Sequence, residues 1–401
     1  MIETAKRIRH VEEYYFSRKL AEVRSLEKPE VPVINLGIGS PDLAPSESTI
    51  RSLVNSAAQP AHHGYQNYRG IPALRQAIAR FCQFTYGVEL HPDSEVLPLM
   101  GSKEGIFHIS MAFLNPGDEV LIPDPGYPTY ASAAQLAGGV ARMYPMKESL
   151  GWGIDVEELS RQDLSRVKIM WVNFPHMPTG SVASGEELAA LVALARRHRF
   201  LIVNDNPYSL ILNERPLSLL AAPGAAEVAM ELNSLSKSHN MAGWRIGWAA
   251  GRKEFIEAVL RVKSNMDSGM FLALQHAAVE ALKNGADWFD QLNTVYRQRR
   301  GIAQRLLEVL DCSVEGRQSG LFLWARVPDT IASVEAWIDD ILYGTNVFIT
   351  PGTVFGSGGH RHIRISLCAT EEKIGEALGR VERWKAGAPD VHPREHKMDA
   401  A

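Results

Sequence analysis

Six kinds of side chain recur in this sequence at places where apolar runs stop, and together they define a chemistry. After LPLM come Gly101, Ser102 and Lys103; after VLIPDPG comes Tyr127; after KIMWV comes Asn173. FLIVN is followed by Asp205 and, three residues on, Tyr208. VAMELN is followed by Ser234, Ser236 and Lys237, with Arg245 eight residues past the lysine. A lysine amine can form a Schiff base with an aldehyde. A carboxylate can keep a heteroaromatic nitrogen protonated, so that the ring accepts electrons. Small residues opening a helix leave amide donors for an anion, and an arginine adds charge. A tyrosine ring can stack on a heterocycle. The set suits a phosphorylated heteroaromatic aldehyde.

The elements that would position these groups are legible as short apolar runs alternating with helical patterns, the signature of a parallel sheet flanked by helices. The clearest strands are Val120 to Pro123, Lys168 to Asn173, Phe200 to Asn204 and Val228 to Asn233. Between the second and third, EELAALVALARR has helical spacing behind a Ser184-x-x-Glu187 capping box. In such a sheet, ligands bind beyond the carboxyl ends of the strands, where the polar residues stand. From about residue 300 a second texture begins: GLFLWARV, NVFIT and HIRISL read as strands, with SVEAWIDDILY as a helix. This suggests a smaller α/β layer, joined by the first 45 residues. The expected division is 46–295 for a large domain and 1–45 plus 296–388 for a small one, with 389–401 as a loose tail.

Composition narrows the classes. The chain has 401 residues, 45% hydrophobic and 22% charged, which is globular usage. Lys plus Arg number 42 against 46 Asp plus Glu, so there is no broad positive field for nucleic acid or an anionic membrane. No apolar stretch suits a signal peptide or a span, and the expected location is cytoplasmic. Cys82, Cys312 and Cys368 are too scattered for a disulfide framework or a C-x-x-C site. His62-His63 and His360-x-His362 lack the further ligands of a metal site, so none is expected. There is no phosphate loop, nucleophile elbow or zinc helix, and Asp42 spoils the dinucleotide reading of Gly37-Ile-Gly39.

The string SLSKSHNMAGWRIGW resembles the cofactor-lysine signature of the class I/II aminotransferases, pyridoxal-phosphate enzymes of fold type I. INLGIGSPD, IPALRQAI, MGSKEGI, DPGYPTY, NFPHMPTG, NDNPY and HIRISL follow the family's order, and the likeness spans roughly residues 33 to 385. The resemblance implies that Lys237 is the Schiff-base lysine and general base, that Asp205 holds the pyridine nitrogen, and that Tyr208, with Asn173 near it, serves the phenolic oxygen. It implies a phosphate cradle of Gly101, Ser102, Lys103, Ser234, Ser236 and Arg245, with Tyr127 over the ring. It further implies a homodimer in which Tyr65 reaches the neighbouring subunit's phosphate, and substrate binding by Arg364 and the Gly39 backbone. Met177 stands where the family usually has an asparagine that donates to the phenolic oxygen, and Pro207 lies between Asp205 and Tyr208. Read alone, Arg364 shares a strand face with His362, and a solvent-facing edge strand competes with the binding role.

The expected activity is transfer of an amino group between an L-amino acid and a 2-oxo acid. Tyr14, Tyr15 and Phe16 favour a neutral, aromatic or sulfur-containing donor. A carbon–sulfur β-lyase on the same fold and an aminotransferase of the diaminopimelate/lysine pathway are the alternatives. A regulator with an aminotransferase-like domain is disfavoured by the charge balance and by INLGIGSPD beginning at residue 34.

Overall fold

The computed structural model describes residues 2–5, 7–8, 11, 15–389 and 391, so nearly all of the expected tail lies outside the described residues. The strands, in chain order, are β1 (Ile34–Asn35), β2 (Val96–Leu99), β3 (Glu119–Asp124), β4 (Val140–Lys147), β5 (Gly153–Ile154) and β6 (Val167–Val172). They continue with β7 (Leu201–Asp205), β8 (Ala229–Ser234), β9 (Gly247–Gly251), β10 (Phe322–Arg326), β11 (Val347–Phe348), β12 (Thr350–Pro351) and β13 (His362–Ser366).

Eight strands form one sheet in the order β2-β9-β8-β7-β6-β3-β4-β5. From β8 to β4 all neighbours are parallel, while β9 runs antiparallel to both β8 and β2. This arrangement brings the carboxyl ends of β2, β3, β6, β7 and β8 to the same edge as the amino end of β9. Helices cover both faces, and every residue of β7 and β8 is buried, which explains why these strands read as largely apolar runs, β8 interrupted by Glu231. The crossover helix Gly185–His198 begins at the expected capping box: the Glu187 amide donates to Ser184 Oγ at 3.1 Å, and the Ser184 amide to Glu187 Oε2 at 2.6 Å.

The C-terminal elements build a three-stranded sheet, β10-β13-β12, and β1 pairs in parallel with β11. NVFIT is not one strand: it breaks at Ile349, so that Val347–Phe348 pairs with β1 and Thr350–Pro351 pairs with β13. The chain start thus packs with the chain end. The reading of Arg364 on a solvent-facing edge fails, because β13 is the central strand and both His362 and Arg364 are buried. Among the described residues, no helix is long and apolar enough to cross a membrane.

Candidate active site

A cavity of about 630 Å³ opens where the strand ends of the large sheet meet the C-terminal elements. Lys237 stands on the short helix Leu235–Ser238 directly after β8, and its Nζ donates to the Gly39 carbonyl. Burial pushes the amine's pKa below the usual lysine value; the Cys368 thiol opposes this, and the Arg364 and Arg245 cations reinforce it. A lysine held in this way is neutral at a lower pH than a surface one, so more of it is free to act as nucleophile or proton acceptor.

Asp205 ends β7 and is 5% exposed. Its Oδ2 accepts from the Tyr130 hydroxyl at 3.0 Å, whereas Oδ1 is buried with no hydrogen-bond partner among the described residues. Burial raises the carboxyl pKa to about 7, although Tyr130 and Lys237 pull it down. An unpaired buried carboxylate oxygen facing a cavity calls for a cationic or N–H partner.

The anion end forms where β2, β8 and β9 terminate together. Gly101 precedes the helix Ser102–Phe113 with φ +89°, and a Cβ there would stand 2.2 Å from Arg245 Nη2, so only glycine allows this approach. Ser234 Oγ donates to Ser236 Oγ at 2.8 Å, and Arg245 Nη1 donates to Ser236 Oγ at 3.3 Å. Ser102 and Lys103 line the same end of the cavity. A helix N-terminus, two hydroxyls and a guanidinium converge there as a phosphate-type anion site.

At the opposite end lies Arg364. Its Nη2 donates to the Gly37 carbonyl at 2.5 Å and its Nη1 to Met177 Sδ at 3.2 Å. The guanidinium carbon lies 3.9 Å from the Phe322 ring centroid and 4.6 Å from that of Phe355. The Gly37–Gly39 loop is held by an Asn35 turn, by Thr350 and by the bidentate Arg299–Asp42 pair at 2.7 and 2.8 Å. Tyr127 and Tyr208 line the walls, Tyr208 lying edge-on to Phe322 with its phenol pKa raised by burial. Asn173 also lines the cavity. Its Nδ2 donates to the Asp205 carbonyl at 2.5 Å and its Oδ1 accepts from the Met177 amide at 2.8 Å.

The fold therefore brings Gly39, Ser102, Lys103, Tyr127, Asn173, Asp205, Tyr208, Ser234, Ser236, Lys237, Arg245 and Arg364 around one cavity, with Gly101 behind Arg245. Tyr65 is not among them: it is 93% exposed. Tyr15 lies in a separate cleft with Lys19 and Asp339, and it is Leu20 of the same helix that lines the cavity. Tyr14 falls outside the described residues, as does the Phe16 side chain. The set-aside histidines are hydrogen-bonded: His62 to Ser56, His63 to the Ala57 carbonyl, His360 to the Ser357 carbonyl and His362 to Glu148.

Two contributors were not anticipated. Tyr130, stacked on Trp171 at 5.1 Å, is the buried donor to Asp205. Glu231 accepts from Asn204, Asn206, Asn233 and the Leu219 amide, which secures the strand ends carrying Asp205 and Ser234.

A family model described as aminotransferase class I and II matches residues 31–381. The chain is 39% identical over 392 residues to an LL-diaminopimelate aminotransferase of Dehalococcoides mccartyi, covering 96% of this chain and 100% of that protein. It is 39% identical over 384 residues to one from Moorella thermoacetica, covering 95% and 98%. Among solved structures, apo-BacF from Bacillus subtilis superposes with a TM-score of 0.91 at 34% identity, covering 96% of this chain and 99% of that one. The aspartate aminotransferase from Thermus thermophilus with maleate does so with 0.89 at 28% identity, covering 96% and 100%.

Proposed function

The chain belongs to the class I and II aminotransferases, and from that premise we propose that it moves amino groups between a neutral, aromatic or sulfur-containing L-amino acid and a 2-oxo acid, with Lys237 as the reacting base. These enzymes use pyridoxal 5'-phosphate. The donor set fits that group: Ser102, Lys103, Ser234, Ser236 and Arg245 would hold the phosphate, and the unpaired Asp205 Oδ1 would face the ring nitrogen. When bound, the cofactor supplies an aldehyde to take up the amino group and a ring that withdraws electrons from the substrate Cα.

The protein's own residues do the rest. Arg364 exchanges its Gly37 and Met177 acceptors for the two oxygens of the substrate carboxylate, which orients the Cα–H bond toward Lys237. Lys237, neutral at lower pH than an exposed lysine, takes that proton on Nζ and would return it to the former aldehyde carbon, across the intervening nitrogen. Tyr127 would cover the ring, Tyr208 and Asn173 would donate toward the phenolic oxygen, and the Tyr130 hydrogen bond favours the ionised form of Asp205 against its burial.

The observation that carries the substrate class is the lining near Arg364. Leu20, Ile38, Met177, Phe322 and Phe355 are apolar, and beyond Arg364 the only cations lining the cavity among the described residues are Lys103, Lys237 and Arg245, which have roles of their own. The names of the relatives favour a second reading, in which the donor is LL-diaminopimelate. A panel of donors and 2-oxo acids, read by cofactor absorbance, separates the two. Turnover of aromatic or sulfur-containing amino acids at least about tenfold above diaminopimelate in kcat/KM supports the first; the reverse order supports the second.

Two further readings belong to the proposal. The small domain consists of 1–45 plus 296–388 and the large one of 46–295, in keeping with the β1–β11 pairing. The enzyme is a homodimer in which Tyr65 enters the partner's site. The exposure of Tyr65, Tyr68, Met266 and Phe271 supports such an interface.

A further inference from the structure

Behind the anion-binding turn lies a buried ionic cluster that none of the roles above uses. Glu104 and His108 are one turn apart on the helix Ser102–Phe113, with Oε1 and Nε2 3.0 Å apart. Lys263, the last residue of the helix Lys253–Lys263, donates to Asp267 Oδ2 at 2.5 Å. Glu104, His108 and Asp267 each offer a ligand-type atom within 4.8 Å of the others, and none of the four side chains is more than 9% exposed. Burying two carboxylates costs stability unless cations and hydrogen bonds compensate; here the Lys263 ammonium supplies the cation.

The remaining carboxylate oxygens are spent on backbone. Glu104 Oε2 accepts from the Met100 amide at 2.5 Å, and Asp267 Oδ1 accepts from the Gly269 amide at 2.9 Å. Met100 immediately precedes Gly101 and Ser102, so the first bond fixes the turn that opens the helix. Glu104 is its third residue, from which a carboxylate can reach back to an amide before the first turn. Gly269 packs on the neighbouring loop so closely that a Cβ there would stand 2.5 Å from the Gln66 carbonyl oxygen. One cluster thus ties the anion-binding turn to the loop that bears Tyr65.

We propose that Glu104 is a positioning residue for the cofactor phosphate: steadied by His108 and the Lys263–Asp267 pair, its carboxylate anchors the Met100 amide and thereby aims the Ser102 and Lys103 amides. This rests on the reading of that turn as the phosphate site. Glu104 does not line the cavity and acts only through the backbone.

The test titrates apoenzyme with pyridoxal 5'-phosphate and with pyridoxal, which lacks the phosphate, reading the lysine-bound absorbance. The ratio of the two affinities reports the phosphate site alone. Glu104→Leu is expected to lower that ratio at least about tenfold with pyridoxal affinity unchanged. Glu104→Gln, whose amide oxygen can still accept from Met100, is expected to keep it within about threefold. An unchanged ratio in Glu104→Leu overturns the proposal, as does equal weakening of both ligands or a loss in Glu104→Gln matching that in Glu104→Leu. If Glu104→Leu yields no folded protein, Glu104→Asp, one methylene short of Met100, carries the same expectation. A wild type that does not prefer the phosphorylated ligand refutes the phosphate-site reading itself, and the proposal with it.

Discussion

Replacing Asp205 by asparagine should stabilise the apoenzyme while weakening its response to cofactor, and the size of the gain should depend on pH. The Asp205 carboxyl is raised from the ordinary 3.8 to about 7 because it is buried, with Oδ1 lacking a hydrogen-bond partner among the described residues. At about 1.36 kcal/mol per pKa unit, a shift of that size corresponds to roughly 4 kcal/mol. Side-chain relaxation reduces this, so about 2–4 kcal/mol is expected. The sign follows from proton counting: between pH 3.8 and 7 the folded state holds a proton that the unfolded state has released. The wild-type apoenzyme therefore loses this contribution as pH rises through 7, and an amide does not. With about 2.1 cal/mol/K of unfolding entropy per residue, the gain amounts to a Tm increase of roughly 2–5 °C for Asp205→Asn at pH 8, shrinking toward zero near pH 4. Scanning calorimetry of both apoenzymes from pH 4 to 8 measures it. Added cofactor should reverse the order, because the wild-type carboxylate then gains a cationic partner. A Tm difference that does not change with pH, or an asparagine variant less stable at pH 8, would refute the reasoning.

Arg364→Lys keeps the charge but cannot make two parallel bonds, so kcat/KM for amino acids should fall by about 10²-fold while cofactor affinity holds; steady-state kinetics and cofactor titration check both. Met177→Asn replaces a thioether that cannot donate with an amide that can, so the pH at which the lysine-bound chromophore titrates should drop by about one unit in a spectrophotometric titration. Tyr130→Phe removes the hydroxyl that donates to Asp205 Oδ2, and cofactor affinity should fall by about tenfold, as read by fluorescence quenching on reconstitution.

Most of the candidate site was legible because a parallel sheet converts sequence order into spatial order. Asp205 ends, and Lys237 stands just after, a strand buried on both faces, and such strands announce their ends. β9 was harder: GWAAG is poor in β-branched residues, and only its antiparallel placement explains why Arg245, before a strand, joins groups that follow strands. Tyr130 escaped because DPGYPTY offers two tyrosines, and nothing local says which turns inward to meet Asp205. Glu231 and Glu104 escaped for a related reason, since a carboxylate that serves backbone amides and asparagines carries no spacing signature of its own. The break in NVFIT at Ile349 reflects two different pairing partners on either side, which no local pattern encodes.

The central claim, transamination through Lys237, is tested most directly by a single half-reaction. Cofactor-loaded protein is mixed with an excess of amino donor and no oxo acid, and the absorbance and the released product are followed together. The account predicts loss of the lysine-bound absorbance with release of one 2-oxo acid per site, restoration by added 2-oxo acid, and neither change in Lys237→Ala. Catalytic release of ammonia or a thiol with pyruvate while the absorbance persists, or equal conversion by Lys237→Ala, would contradict it.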